Sequence, residues 1–199
     1  MRNFLFIAFT NAVFLVFVFL QFNCTQQGEH KMLSQDELVA SGKYIVTTGG
    51  FGDCHTPKIM TPHGPDFDTT KTLAGFPEDG TLPPLDLKTV APGNWYVTEK
   101  NLAAWVGPWG ISYASNLTPD NETGIGTLSE EMFIKTLREG KFMGVGRPLL
   151  PPMPWQVFAQ KTDEDLKAIY AYLKSLPPIK NKVPDPVPPP KLAEYFGKK

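Results

Sequence analysis

The sequence predicts an all-α fold, with at least three helices around one core and a long loop-rich insertion between the first two. Three segments repeat apolar residues at helical spacing behind clear capping residues, whereas residues 51–127 carry no such period. Twenty prolines and 17 glycines among 199 residues are well above ordinary usage, which argues against long regular sheets. The length suits one domain behind a leader. Nineteen basic and 20 acidic side chains leave a net charge of −1, so the chain lacks the basic footprint that nucleic acid requires.

The elements follow in order. Residues 4–20 are apolar at 15 of 17 positions behind Arg2, the pattern of an export signal or a short signal anchor within residues 1–23. Cys24 stands just past this run, where a bacterial lipoprotein carries its acylated cysteine, although Gln21-Phe22-Asn23 departs from the usual lead. Residues 24–33 read as a polar tether. Ser34 and Glu37 form a capping box that opens the first helix, which carries Leu38, Ser41, Tyr44 and Ile45 and stops at Gly49-Gly50. Ser129 opens the second, with Glu130 and Glu131 at its positive end, Phe133, Ile134 and Leu137 on its apolar face and Gly140 as its stop. Thr162 opens the last, which places Asp163, Glu164 and Asp165 in the first turn and aligns Leu166, Ile169, Tyr170, Leu173 and Leu176 before Pro177-Pro178. The domain so defined spans residues 34–178. Beyond it, residues 179–199 are a proline-rich strap, extended to 190 and ending in one loose amphipathic turn.

The chemistry begins where the first helix ends. Phe51-Gly-Asp-Cys54-His55 is the haem attachment pattern C-x-x-C-H with phenylalanine in place of the first cysteine. In the complete motif each thiol adds across one haem vinyl, and the histidine supplies the proximal nitrogen to iron. Cys54 and His55 retain one of those bonds and the ligand. A Cys-His pair alone is weak evidence, but Met153 stands in Leu150-Pro-Pro-Met-Pro-Trp155 just before the last helix, where a distal ligand belongs. Prolines on both sides of Met153 restrict the backbone before any ligand binds, so its soft thioether is presented at low ordering cost.

With these residues in view, the chain resembles an exported class I c-type cytochrome of the monohaem kind, related to cytochrome subunits of bacterial membrane-bound dehydrogenases. The resemblance covers residues 38–186. It is carried by Gly42 to Val46, Cys54 to Pro57, Leu73 to Pro77, Gly107 to Gly110, Ser115 to Asp120, Gly140 to Arg147, Leu150 to Trp155 and Thr162 to Pro178. It implies that the first and last helices cross near the haem edge, that His55 and Met153 ligate iron, and that the insertion wraps the porphyrin. Phe51 is the departure from the family. It limits covalent attachment to one haem c held by a single thioether through Cys54.

Other side chains have competing readings. Met143 and Met60 are alternative sixth ligands, although Met60 returns too soon after His55 to reach the opposite face; His63 reads as a turn residue and His30 as a solvated tether residue. Arg147 suits a haem propionate, since its planar fork matches a carboxylate, or lies exposed. Asn116 and Thr118, with Asn121 and Thr123, read as loop hydrogen bonders. Asp163 to Asp165 read as helix-terminal charges, and Trp95, Trp105, Trp109 and Trp155 as packing on the porphyrin, in the loop core or on a docking surface.

The functional expectation is an electron carrier on the periplasmic side of the inner membrane, anchored there or free in the periplasm. It would pass single electrons from a dehydrogenase or quinol-linked donor to a terminal acceptor, with redox proteins as partners and no small-molecule substrate. Two alternatives stand beside it: a haem enzyme or gas or peroxide sensor with a labile methionine ligand, and a haem-free interaction module.

Overall fold

The computed structural model describes residues 33–197. The export or anchor segment, Cys24, His30 and nearly all of the tether lie outside these residues. Among those described, no helix is long and apolar enough to cross a membrane.

Local rules place the three long helices where the sequence predicts them, and the structure adds short ones between. Helix α1 (Gln35–Thr48) starts at Ser34, whose hydroxyl accepts from the Glu37 N–H while Glu37 accepts from the Ser34 N–H, so two otherwise orphaned donors are satisfied together. A short helix, α2 (Phe51–His55), follows directly and carries the cysteine-histidine pair. Helix α3 (Glu130–Glu139) is capped by Ser129 and stops at Gly140, whose φ of 64° is left-handed. The four-residue α4 (Trp155–Phe158) follows the methionine loop. Thr162 caps α5 (Asp163–Ser175), and α6 (Leu192–Gly197) closes the described chain.

The insertion differs from expectation, because the fold is mixed rather than all-α. It contains five short strands in two antiparallel sheets. Strands β1 (Lys58–Thr61) and β2 (Gly64–Phe67) form a hairpin, with Lys58 opposite Phe67 and Met60 opposite Pro65. Strands β3 (Val97–Thr98), β4 (Ala104–Gly107) and β5 (Gly110–Tyr113) form the second sheet in that order. None exceeds four residues, so none gives a sequence period long enough to read.

Two apolar clusters result. The first joins Val46 of α1, Phe51 of α2, Phe133 and Leu137 of α3, Phe158 of α4, and Leu166, Ile169 and Leu173 of α5. The second lies in the insertion, where Phe76, Leu82, Val90, Ala103, Val106 and Ile111 pack together with Leu192 of α6. The C-terminal strap is extended, as its prolines predict, but its end is docked rather than loose. Val187 exchanges two backbone hydrogen bonds with Ile111, at 2.8 and 3.0 Å, and Leu192 is buried.

Candidate functional site

Helix α2 fixes Cys54 and His55 against the insertion. The His55 carbonyl accepts from the Gly75 N–H at 2.7 Å, and the Thr56 hydroxyl accepts from the Leu73 N–H at 3.0 Å. Segment 73–76 then pairs onward, because Phe76 donates to the Ala114 carbonyl and Leu117 donates to that of Leu73. This close approach requires Gly75. At its φ of 82° a side chain would be strained, and a β-carbon would press into the backbone of Ala114 and Ser115.

The consequence is a defined tautomer at His55. Its Nδ1 lies 2.8 Å from the Ser115 carbonyl oxygen, which can only accept, so the ring proton sits on Nδ1 and Nε2 keeps its lone pair. Burial lowers the His55 pKa, against the smaller opposite pull of the Ser115 carbonyl, and so favours the neutral ring. A neutral imidazole with an oriented N–H and an open Nε2 is the form that binds a metal. Cys54 is a free thiol whose pKa is raised by burial; the Lys58 charge pulls it down and Asp53 pushes it up. A protonated thiol beside this imidazole has the chemistry to add across one haem vinyl. The donor set therefore fits a c-type haem, with Cys54 to attach it and His55 to ligate it.

Phe51 is 8% exposed, and its ring meets that of Phe158 edge-on at 4.9 Å between centroids. It belongs to the first core, so the position of the missing cysteine is filled by packing.

The loop of Met153 is built from several directions. Gly140 and Leu149 pair through a backbone hydrogen bond of 2.7 Å, the Trp155 indole lies against Gly140, and the Ser112 hydroxyl of β5 donates to the Pro151 carbonyl at 2.5 Å. Met153 itself is half-buried and packs on the first core, the cluster that also holds Phe51. Met60 is 75% exposed on β1, Met143 is exposed, and His63 lies exposed at the tip of the β1–β2 hairpin. Arg147 stacks on the Phe142 ring at 4.9 Å and donates to the Pro148 carbonyl; burial lowers its pKa and Asp185 opposes this.

The remaining candidates are structural. Asp163 pairs with Arg138 at 2.6 Å. Asn116 and Thr123 bond each other and the strap, where the Asn116 amide donates to the Ile179 carbonyl and the Thr123 hydroxyl accepts from the Asn181 N–H. Trp105 donates to the Leu102 carbonyl, Trp109 donates to Ser112 and meets Tyr96 edge-on, and Trp95 is exposed.

Sequence reasoning missed the Ser115 acceptor, the Ser112 anchor, and Lys58. The first is a backbone atom 60 residues from His55 and leaves no side-chain signal. Lys58 had a signal in Pro57, the residue before it. Among the described residues, no group of three or more His, Cys, Asp or Glu side chains is arranged for a protein-only metal site.

No protein-family model matches the chain. It is 32% identical over 139 residues, 70% of its length, to the gluconate 2-dehydrogenase cytochrome c subunit of Pantoea cypripedii, covering 23% of that protein. It is 41% identical over 81 residues, 39% of its length, to the cytochrome c subunit of the quinone alcohol dehydrogenase of Gluconobacter oxydans, covering 17% of that protein. It is also 43% identical over 77 residues, again 39% of its length, to a nicotinate dehydrogenase subunit of Pseudomonas putida, covering 6% of it. The chain thus spans less than a quarter of the length of these relatives. Its similarity to the cytochrome c subunits of dehydrogenases, together with the Cys54-His55 site, supports a c-type cytochrome.

Proposed function

We propose that this chain is a periplasmic electron carrier holding one haem c through a single thioether at Cys54, with His55 and Met153 as axial ligands. The observation that carries the reading is the His55 ring, half-buried, favoured in its neutral form and oriented by the Ser115 carbonyl so that Nε2 is left for iron. Bound haem supplies reversible one-electron chemistry at iron. The chain's own residues hold it and close it to other chemistry. His55 fixes one axis, Met153 on its proline-clamped loop fills the other, and Phe51 keeps water from the edge where a second thioether would stand. Arg147 takes a propionate. With both axial positions filled by protein, the site offers no place for a substrate, which favours electron transfer over an enzyme or gas sensor.

The relatives are dehydrogenase subunits, which supports a dehydrogenase or quinol-linked donor and a terminal acceptor as redox partners. Residues 4–20 and Cys24 support attachment to the periplasmic face of the inner membrane, by acylation or by a signal anchor. The haem domain is residues 34–178, with 179–199 as its strap.

The test is a pyridine-haemochrome spectrum of the full chain from a host with working cytochrome maturation. One haem per chain, a reduced band to the red of a two-thioether haem c, and haem retained in denaturing gels are expected. Haem-free protein would overturn the reading and favour an interaction module, the alternative to which the packing of Phe51 against Phe158 lends support.

A further inference from the structure

Pro57 leaves a gap in the hydrogen bonding of the helix that carries Cys54 and His55. The Thr56 N–H closes on the Gly52 carbonyl at 3.0 Å, but the next donor in the helical ladder would come from residue 57, and proline has none. The Asp53 carbonyl accepts instead from the Lys58 ammonium at 2.5 Å. The same ammonium donates to the Asn101 carbonyl at 2.6 Å, and the Asn101 side-chain oxygen accepts the Lys58 backbone N–H at 3.2 Å. Asn101 is held in turn by Glu99, whose buried carboxylate accepts from the backbone N–H groups of Asn101 at 2.7 Å and Ala103 at 2.9 Å. The Phe67 ring, opposite Lys58 on the hairpin, lies 5.5 Å from the ammonium. A cation is therefore fixed on the carbonyl that precedes Cys54, by segments more than forty residues apart.

We propose that Lys58 is a positioning residue of the redox centre, whose ammonium completes the helix bearing Cys54 and His55 and whose charge favours the reduced state of iron held by His55. The proposal rests on the haem reading. Reduction adds one electron from the donor to ferric iron and gives ferrous iron, with no bond made or broken in the protein. It removes one unit of positive charge from the centre, so a fixed cation nearby repels the oxidised form more than the reduced one. Desolvation at the site strengthens this repulsion relative to an exposed lysine. Asp53 and Glu99 flank the ammonium, and without it their carboxylates stand uncompensated and favour the oxidised form.

The test is spectroelectrochemical titration of the haem-loaded full chain and three variants. At an ambient potential equal to the wild-type midpoint, K58M and K58Q are expected to lower the ferrous-to-ferric ratio about five- to tenfold, by analogy with charge pairs at low effective dielectric. A tenfold fall corresponds to about 59 mV for a one-electron couple. K58R, which keeps the charge, should stay within about twofold of wild type, the residual reflecting a shifted charge position. Glutamine retains an N–H donor but is one atom shorter and uncharged, whereas arginine keeps both the charge and the donors, so K58Q against K58R tests the charge even where K58M does not fold. A K58Q ratio indistinguishable from wild type, or a K58R ratio that falls as far as that of K58Q, overturns the role of Lys58 and leaves the haem reading standing. Haem-free wild-type protein overturns both.

Discussion

Gly42 of α1 sits directly against the carbonyl of Ala168 in α5, with the β-carbon of Tyr172 beside that carbonyl on the same face. A β-carbon at residue 42 would overlap that carbonyl, and backbone cannot rotate away as a flexible side chain can. This contact sets how closely the two helices cross, and Val46 and Ile169 are buried in the same core.

Gly42→Ala should therefore cost about 1–3 kcal/mol, the range for overpacking a tight core, despite its gain in helix propensity. Urea unfolding of the haem-loaded chain measures it, and a variant as stable as wild type would show that the helices separate easily.

Met153→Ala should open the sixth position. The ferrous variant should bind carbon monoxide at neutral pH while the wild type resists it, and Met60→Ala and Met143→Ala should resist it as the wild type does. If either of those two gains binding and Met153→Ala does not, the ligand has been misassigned.

Phe51→Cys should have two opposed effects. Its thiol hydrogen and sulfur can add across the free vinyl, so mass spectrometry should find two haem-linked cysteines and the haemochrome band should move to the blue. Losing the ring that packs on Phe158 should destabilise the haem-free chain by about 2–4 kcal/mol, somewhat less than truncation to alanine.

Asp120 gives an acid dependence. Its carboxylate accepts from the Thr123 hydroxyl at 2.7 Å, the Thr123 N–H at 2.7 Å and the Glu122 N–H at 3.1 Å, and these bonds, that of the hydroxyl foremost, lower its pKa. A depressed folded-state pKa adds stability above the unfolded value of about 3.9 and loses it as pH falls through the folded one. Asp120→Asn should thus be less stable than wild type at neutral pH, and the difference should shrink as the pH falls below the unfolded value of about 3.9. Thermal melts at neutral pH and below that value check this, and a constant difference would remove the carboxylate charge from the account.

The three long helices were legible because their causes are local: Ser34, Ser129 and Thr162 cap within three residues of their own positions, and Gly140 stops α3 where it stands. The strands were not, because Lys58–Phe67 and Val97–Tyr113 make sheets only by pairing short pieces interrupted by glycine and proline. At the site, Cys54 and His55 were legible as a pattern. What orients them comes from the Ser115 and Asp53 carbonyls, and backbone atoms have no letter in the sequence. Pro57 was the one visible clue, since a proline four residues after Asp53 leaves that carbonyl without its helical donor.

The docking of the strap bears on the order in which the chain can fold. Strand β5 lies at one edge of its sheet, and its outer side is met by Val187, more than seventy residues later, while Leu192 completes the core beneath. A chain threaded across a membrane from its N-terminus would deliver the Cys54-His55 segment long before these residues. Until they arrive, β5 presents an open edge and the second core lacks its last side chain, the condition in which strands pair with the wrong neighbour. On the proposed reading, haem would be joined to the Cys54 thiol in that interval, before the strap docks.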